Sequence, residues 1–268
     1  MNDKTPAQIA ALIPLCDAPV FDLDVYRSVG VFVVRRLFPA ATVAGWQAAW
    51  ADFQAGQLAA RQVGFNKVAV EEALPAGLAT LYDTPEHMAV ARQIFGDDVG
   101  LYNHRFVIKD RFARDEVFLH NDYCYHLGFP DKASFFTPLS VCGKRNGGLE
   151  FFLGTHQYGY LGDAGEINPD KFPAWPSIVP ELEPGDLVVM NSSVWHRSGP
   201  HLGGPDRIIA DTIIQPARDP STVKLICGEH GPVNQIDRSG DGNFFKRSRT
   251  TRMKELTAEL ASLKAQEH

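Results

Sequence analysis

Between about residue 100 and residue 216, short apolar runs alternate with clusters of turn residues, and no helical period separates them. The runs are LYNHRFVIK, EVFLHNDYCYHLG, ASFFTPLSV, GGLEFFLG, DLVVMNSSVWH and RIIADTIIQ. β-Branched and aromatic residues dominate them, so each reads as a strand. GKRNGG, NPDKFPAWP, EPGD and GPHLGGPD lie between, and they carry the Gly, Pro, Asn and Asp that tight turns use. Strands at this spacing without intervening helices predict an antiparallel barrel or jelly roll.

The flanks are different. GVFVVRRLF (30–38) is a short apolar run and reads as a strand, and Pro39–Thr42 then leads into VAGWQAAWADFQAGQLAA, which has helical spacing. PEHMAVARQIF (85–95) predicts a second helix with Pro85 in its first turn. Near the end, Met253, Leu256, Leu260 and Leu263 recur at helical spacing and predict a C-terminal amphipathic helix. The expected organisation is one mainly β domain with flanking helices over residues 1–268. Residues 1–99 give helical and strand support, 100–216 the jelly-roll core, and 217–268 an extension with a helix.

Bulk properties narrow the partners. A net charge of −6 argues against a nucleic-acid footprint and leaves a small-molecule substrate as the expected partner. No apolar run approaches the ~18 residues of a membrane span. IAALIPL near the N-terminus lacks a basic leader and reads as a helix edge, not a signal peptide. Cys16, Cys124, Cys142 and Cys227 are widely separated with no CxxC pair, so reduced thiols in a cytoplasm are expected.

The segment HNDYCYH (120–126) sets an imidazole and a carboxylate two positions apart. In an extended strand, i and i+2 share a face, so His120 and Asp122 would project together and Asn121 away. Such a pair is two thirds of a facial triad of two histidines and a carboxylate, which leaves three positions open on a metal. Most His-x-Asp pairs are solvated surface pairs, and this one needs a third member. His196, at the end of DLVVMNSSVWH and before a Gly/Pro-rich loop, is the candidate; His104, His126, His156 and His201 compete with it as core histidines or ligands. Eleven residues beyond His196, Arg207 opens the strand RIIADTIIQ. A guanidinium inside a barrel needs an anion, and its fork suits a carboxylate. Asp211 on the same face is the alternative partner.

His120-x-Asp122, His196-x-Ser198 and Arg207, in that order, resemble the motif of the phytanoyl-CoA dioxygenase family of Fe(II)/2-oxoglutarate oxygenases. GVFVVRRLFPAATVAGWQAAW and NGGLEFFLGTHQYG (146–159) resemble two further segments of that family, and the similarity spans about residues 28 to 216. The resemblance implies a double-stranded β-helix (jelly-roll, cupin-like) core. It implies Fe(II) held by His120, Asp122 and His196, with 2-oxoglutarate and O2 as co-substrates. Arg207 and Ser198 would take the distal carboxylate of 2-oxoglutarate, with Tyr102 and Phe136 as further contacts by spacing and Lys67 as a possible upstream one.

The reaction so implied is hydroxylation of an unactivated C–H with release of succinate and carbon dioxide. Desaturation, epoxidation or ring formation would use the same cofactors. Asp122 separates the chain from related halogenases, which lack the carboxylate. Asn103, Arg105, Tyr123, His126 and Trp195 are candidate substrate contacts, with Arg197 beside the distal ligand. Asn103 and Arg105 should share one face of their strand, opposite Tyr102 and His104. Their polarity suggests a small polar metabolite, and the basic run Lys246, Arg247, Arg249, Arg252 and Lys254 could close over an anionic one. A cupin acting without 2-oxoglutarate, or a non-catalytic jelly-roll binding module, are the competing readings.

Overall fold

The computed structural model describes residues 4–57, 66–159, 166–168, 170, 175–236 and 256–259. Its elements begin with α1 (Pro6–Ala10), β1 (Asp17–Ala18), α2 (Leu23–Val29), β2 (Val31–Val34) and α3 (Ala40–Gln57). β3 (Lys67–Val70), α4 (Ala76–Ala79) and α5 (Pro85–Phe95) lead to the long β4 (Val99–Lys109). Then come β5 (Val117–His120), β6 (Ala133–Pro138), β7 (Leu149–Phe152) and β8 (Ser177–Ile178). The last four strands are β9 (Leu187–Asn191), β10 (His196–Ser198), β11 (Arg207–Pro216) and β12 (Lys224–Cys227).

The strands form two sheets. The larger runs β1-β2-β9-β6-β11-β4-β12, with β3 also on β4, and the smaller runs β5-β10-β7-β8. The pairings are antiparallel apart from the short β1–β2 ladder. This is the double-stranded β-helix form of the jelly roll, open and not closed into a barrel. Strands from before residue 99 and after residue 216 join the larger sheet.

Sequence dictates the layers. Val31–Val34 is buried at every position because β2 lies inside the larger sheet and is covered on both faces. The helices cover that sheet's outer face. Trp50 of α3 stacks on Phe106 of β4 with centroids 4.8 Å apart, and Trp46 meets Phe38 edge-on at 5.1 Å. Pro85 does occupy the first turn of α5, where Thr84 caps the helix. α2 ends on Gly30 at φ +81°, where an added Cβ would lie 2.5 Å from His156 Nδ1.

Several expected boundaries shift. The 30–38 run is strand only to Val34, because Arg35 turns away to pair with Asp17 and Asp186 and Arg36 takes φ +51°. The first long helix starts at Ala40; its expected residues 58–60 lie outside the described set. EVFLHNDYCYHLG is strand only to His120, and Asp122–Tyr125 is a 3-10 turn. DLVVMNSSVWH divides into β9 and the start of β10, on different sheets. Of the C-terminal helix, residues 256–259 are helical, while Met253, Leu260, Leu263 and the basic run lie outside the described residues. No helix among the described residues is long and apolar enough to cross a membrane.

Candidate active site

β5 and β10 are neighbours in the smaller sheet, and their register sets His120 opposite His196. The two imidazole centroids are 4.3 Å apart. His120 Nδ1 faces the carbonyl of Phe118 at 2.7 Å, and His196 Nδ1 faces that of Val194 at 3.0 Å. Carbonyls only accept, so each ring donates from Nδ1 and presents Nε2 to the site. Both Nε2 atoms turn to one carboxylate. Asp122 Oδ1 is 3.5 Å from His120 Nε2, and Oδ2 is 3.8 Å from His196 Nε2.

His120 and Asp122 do lie close together, but not through strand alternation. Asp122 is not on the strand: it opens the 3-10 turn after Asn121. That turn is tied down where Tyr123 N donates to Ser192 O at 2.9 Å, and Ser134 Oγ donates to Asp122 Oδ2 at 3.4 Å. One ligand atom from each of His120, Asp122 and His196 lies within 4.8 Å of the others. Burial opposes ionisation of Asp122, but His196 and His120 beside it hold its carboxyl far below the usual carboxylate range. Burial, with His120 as a second cause, lowers the His196 imidazole to about 4. Burial also opposes the charged form of His120, but Asp122 beside it raises that imidazole above its ordinary value, so a divalent cation held by the ionised carboxylate would take the place of the His120 proton.

The triad sits in a cavity between the two sheets. β5, β7 and β10 contribute Val117, Leu149, Arg197 and Ser198, and the larger sheet contributes Arg105, Val107, Phe136, Arg207 and Asp211. Arg207 is 1 % exposed. Its Nη1 donates to Gly147 O at 2.6 Å and its Nη2 to Asn66 Oδ1 at 3.0 Å. Its Nε has no hydrogen-bond partner, nor has the buried Ser198 Oγ. A buried guanidinium without a bonded carboxylate, lining the same cavity as a buried hydroxyl without a partner, fits an incoming anion.

Asp211 is not the partner of Arg207. Register places it opposite Arg105, whose Nε donates to its Oδ2 at 2.8 Å. Burial raises the Asp211 carboxyl against the opposing effect of Arg105. On the other wall, Arg197 Nε donates to Glu150 Oε2 at 2.6 Å.

Other expected positions are differently placed. Tyr102 is the extra residue of a bulge, since Ile213 faces Asn103 and Ile214 faces Leu101. It is therefore not grouped with His104: its ring lies 4.8 Å from that of His126, and its hydroxyl accepts from Leu127 N at 3.1 Å. Tyr102, Asn103, Tyr123 and His126 do not line the cavity. Trp195 packs with Leu119 and Phe152 in a separate apolar cluster. Lys67 pairs with Asp110, away from the cavity wall. The competing histidines are held elsewhere. His104 bonds Thr212 and the Leu78 carbonyl, His156 the carbonyl of Arg27, and His201 that of Pro205.

Sequence reading overlooked Asn66 and the Arg105–Asp211 pairing. Asn66 has no motif around it. Asp211 could have been matched to Arg105 only with the strand register in hand.

Comparisons with known proteins agree with this fold. The fold resembles the epimerase SnoN in complex with Fe3+, alpha ketoglutarate and nogalamycin RO, at TM-score 0.65 and 18% identity over 87% of this chain and 96% of that one. It resembles EctD from S. alaskensis with 2-oxoglutarate and 5-hydroxyectoine, at TM-score 0.65 and 20% identity over 80% and 86%. It also resembles the alpha ketoglutarate dependent carbocyclase SnoK from nogalamycin biosynthesis, at TM-score 0.61 and 15% identity over 83% and 88%. No curated protein matches the sequence. The family model described as phytanoyl-CoA dioxygenase (PhyH) matches residues 26–209, more than half of the sequence, and the chain belongs to that family.

Proposed function

We propose that this chain is an Fe(II)- and 2-oxoglutarate-dependent oxygenase that hydroxylates an unactivated C–H of a small polar metabolite and releases succinate and carbon dioxide. One observation carries the reading. The convergent His120, Asp122 and His196 share a cavity with Arg207, whose buried Nε has no partner. A cupin without 2-oxoglutarate would have no use for that guanidinium.

His120 Nε2, Asp122 and His196 Nε2 would hold the metal on one face and leave the remaining positions to co-substrates. Iron with 2-oxoglutarate and O2 supplies the oxidising power when bound. The chain supplies orientation. The carbonyls of Phe118 and Val194 fix the two imidazole tautomers. Ser134 steadies the Asp122 carboxylate, while Arg207 and Ser198 would bind the distal carboxylate of 2-oxoglutarate and Phe136 would pack beside it. Arg105 and Arg197, each paired but still on the cavity wall, would face the substrate.

The cavity is open to solvent and lined by charged and polar side chains, which suits a small polar molecule. The similar folds include an epimerase and a carbocyclase, so the same site would also serve ring formation or desaturation. Asp122 favours hydroxylation over halogenation. A cytoplasmic setting, expected from the wide spacing of the four cysteines, is part of the same reading.

The test is anaerobic titration of Fe(II)-loaded protein with 2-oxoglutarate. A weak visible charge-transfer band should appear and should vanish in His196→Ala. No band in the intact protein would end the cofactor assignment.

A further inference from the structure

Lys109 and Arg207 stand directly opposite each other across β4 and β11. Opposite residues of an antiparallel pair share a face, and like charges so placed repel. These two are also out of water, at 0% and 1% exposure. Lys109 Nζ donates to the carbonyl of Asp115, and Arg207 donates to Gly147 O and Asn66 Oδ1. Neither cation forms an ion pair with a carboxylate among the described residues. Gly147 lies against both: its carbonyl takes Arg207, and a Cβ there would come 2.3 Å from Lys109 Cδ.

Further along the same face the charges balance. Val107 lies opposite Ile209, and Arg105 opposite its partner Asp211. The face thus runs from a neutral ion pair, whose members feel the charge of Asp122, to two uncompensated cations one apolar layer away. Two desolvated like charges side by side are costly unless an anion joins them.

We propose that Lys109 is a positioning residue for the distal carboxylate of the 2-oxo acid. Acting through the field at Arg207, and not by contact, it selects dicarboxylic over monocarboxylic 2-oxo acids and makes co-substrate binding take up protons. This rests on the oxygenase reading above.

The surroundings support a titrating lysine. Burial, then Arg207, lowers the Lys109 ammonium to about 8, against weaker opposing effects of Asp115 and Glu116 from the loop before β5. From β3, Lys67 is tied to Asp110 and offers no free charge. The loop before β7 adds the Cys142 thiol, which burial pushes up and keeps neutral. The unbound protein therefore loses the Lys109 proton above about pH 8. A carboxylate seated beside Arg207 would favour the charged form, so binding above that pH draws a proton from solution.

The experiment is calorimetric titration of the Ni(II)-loaded full chain with 2-oxoglutarate and with 2-oxovalerate, which lacks the distal carboxylate. It is run at pH 7 and pH 8.5, in two buffers of different ionisation enthalpy. Wild-type protein should take up a proton with 2-oxoglutarate at pH 8.5, and not with 2-oxovalerate. Lys109→Met should bind 2-oxoglutarate about tenfold more weakly at pH 7, with no proton uptake and unchanged 2-oxovalerate binding. Lys109→Arg should retain affinity without the proton uptake. Equal losses for both acids in Lys109→Met would mean that Lys109 only holds the Asp115 loop, and would overturn the proposal. So would wild-type binding without proton uptake, a measurement that needs no variant. Failure of wild-type protein to bind 2-oxoglutarate at all would overturn the oxygenase reading as well, whereas the other two outcomes leave that reading standing.

Discussion

His120 and His196, seventy-six positions apart, face each other as register partners across β5 and β10, and each has its Nδ1 committed to the carbonyl two residues before it. The two Nε2 atoms are thereby aimed at Asp122. On the proposed reading, His196→Ala removes a metal ligand and not a support for one. Loss of an outer partner typically costs 10–100-fold in metal affinity, so this variant should exceed about 100-fold. Metal content after dialysis, with a thermal melt to show that the fold survives, checks it. Retention of metal by His196→Ala would remove the triad from the account.

The Arg105–Asp211 pair makes a different prediction. Asp211 is nearly fully buried and feels the charge of Asp122, while Arg105 is part exposed. Arg105→Ala leaves a carboxylate that must be buried unpaired or protonated. It should cost about 2 kcal/mol, below the 3–5 of a fully buried pair because water reaches Arg105. The double variant Arg105→Met/Asp211→Asn should recover part of that loss. Urea unfolding of the single and double variants measures the coupling; additive losses would mean that the pair is not coupled.

The larger features were legible because they are local. The turn clusters and β-rich runs predict the jelly roll, and an arginine among apolar neighbours marks Arg207 for burial. What was not legible depends on register. A bulge at Tyr102 changes which neighbours it meets, and no residue type there announces it. The run DLVVMNSSVWH looks continuous, yet Asn191 turns the chain by accepting from Ser193 N and Val194 N, and His196 starts a strand in the other sheet. Trp195 looks like a binding residue from its position beside His196, but it precedes β10 and packs into a separate apolar cluster with Leu119 and Phe152. His120 and Asp122 were paired by strand alternation and meet through a turn.

Lys132 belongs to a buried network that the sequence does not advertise. Its ammonium donates to Asp219 Oδ2 at 2.5 Å and to Gln215, and lies 4.9 Å above the Tyr102 ring. Asp219 also accepts from Phe129 N at 2.8 Å, and Ser221 Oγ donates to Leu127 O at 3.0 Å. The segment just after the Asp122 turn is thus clamped to the loop after β11. Lys132→Met should cost about 3–5 kcal/mol, because it strands a buried carboxylate. Lys132→Met/Asp219→Leu should restore much of it. Chemical denaturation decides; a loss under about 1 kcal/mol in the single variant would mean that water replaces the lysine.

Two histidines outside the site should govern stability in acid. His87, in the first turns of α5, is wholly buried, with Nε2 3.0 Å from Thr137 Oγ1 and Nδ1 2.8 Å from Thr84 Oγ1. Burial lowers its imidazole to about 3. His104, between Thr212 and the Leu78 carbonyl, is lowered to about 4 by the same cause. Both are neutral in the folded chain at pH 5, whereas in the unfolded chain each is protonated below about 6.5. The unfolded state therefore binds more protons between pH 6.5 and each folded value, and stability falls as pH falls through that window. Each group contributes up to about 1.4 kcal/mol per pH unit there. The melting temperature should drop steadily from pH 7 to pH 5, and the slope should shrink in His87→Gln and shrink further in His87→Gln/His104→Gln. A wild-type slope that both variants leave unchanged would assign the acid sensitivity to other groups.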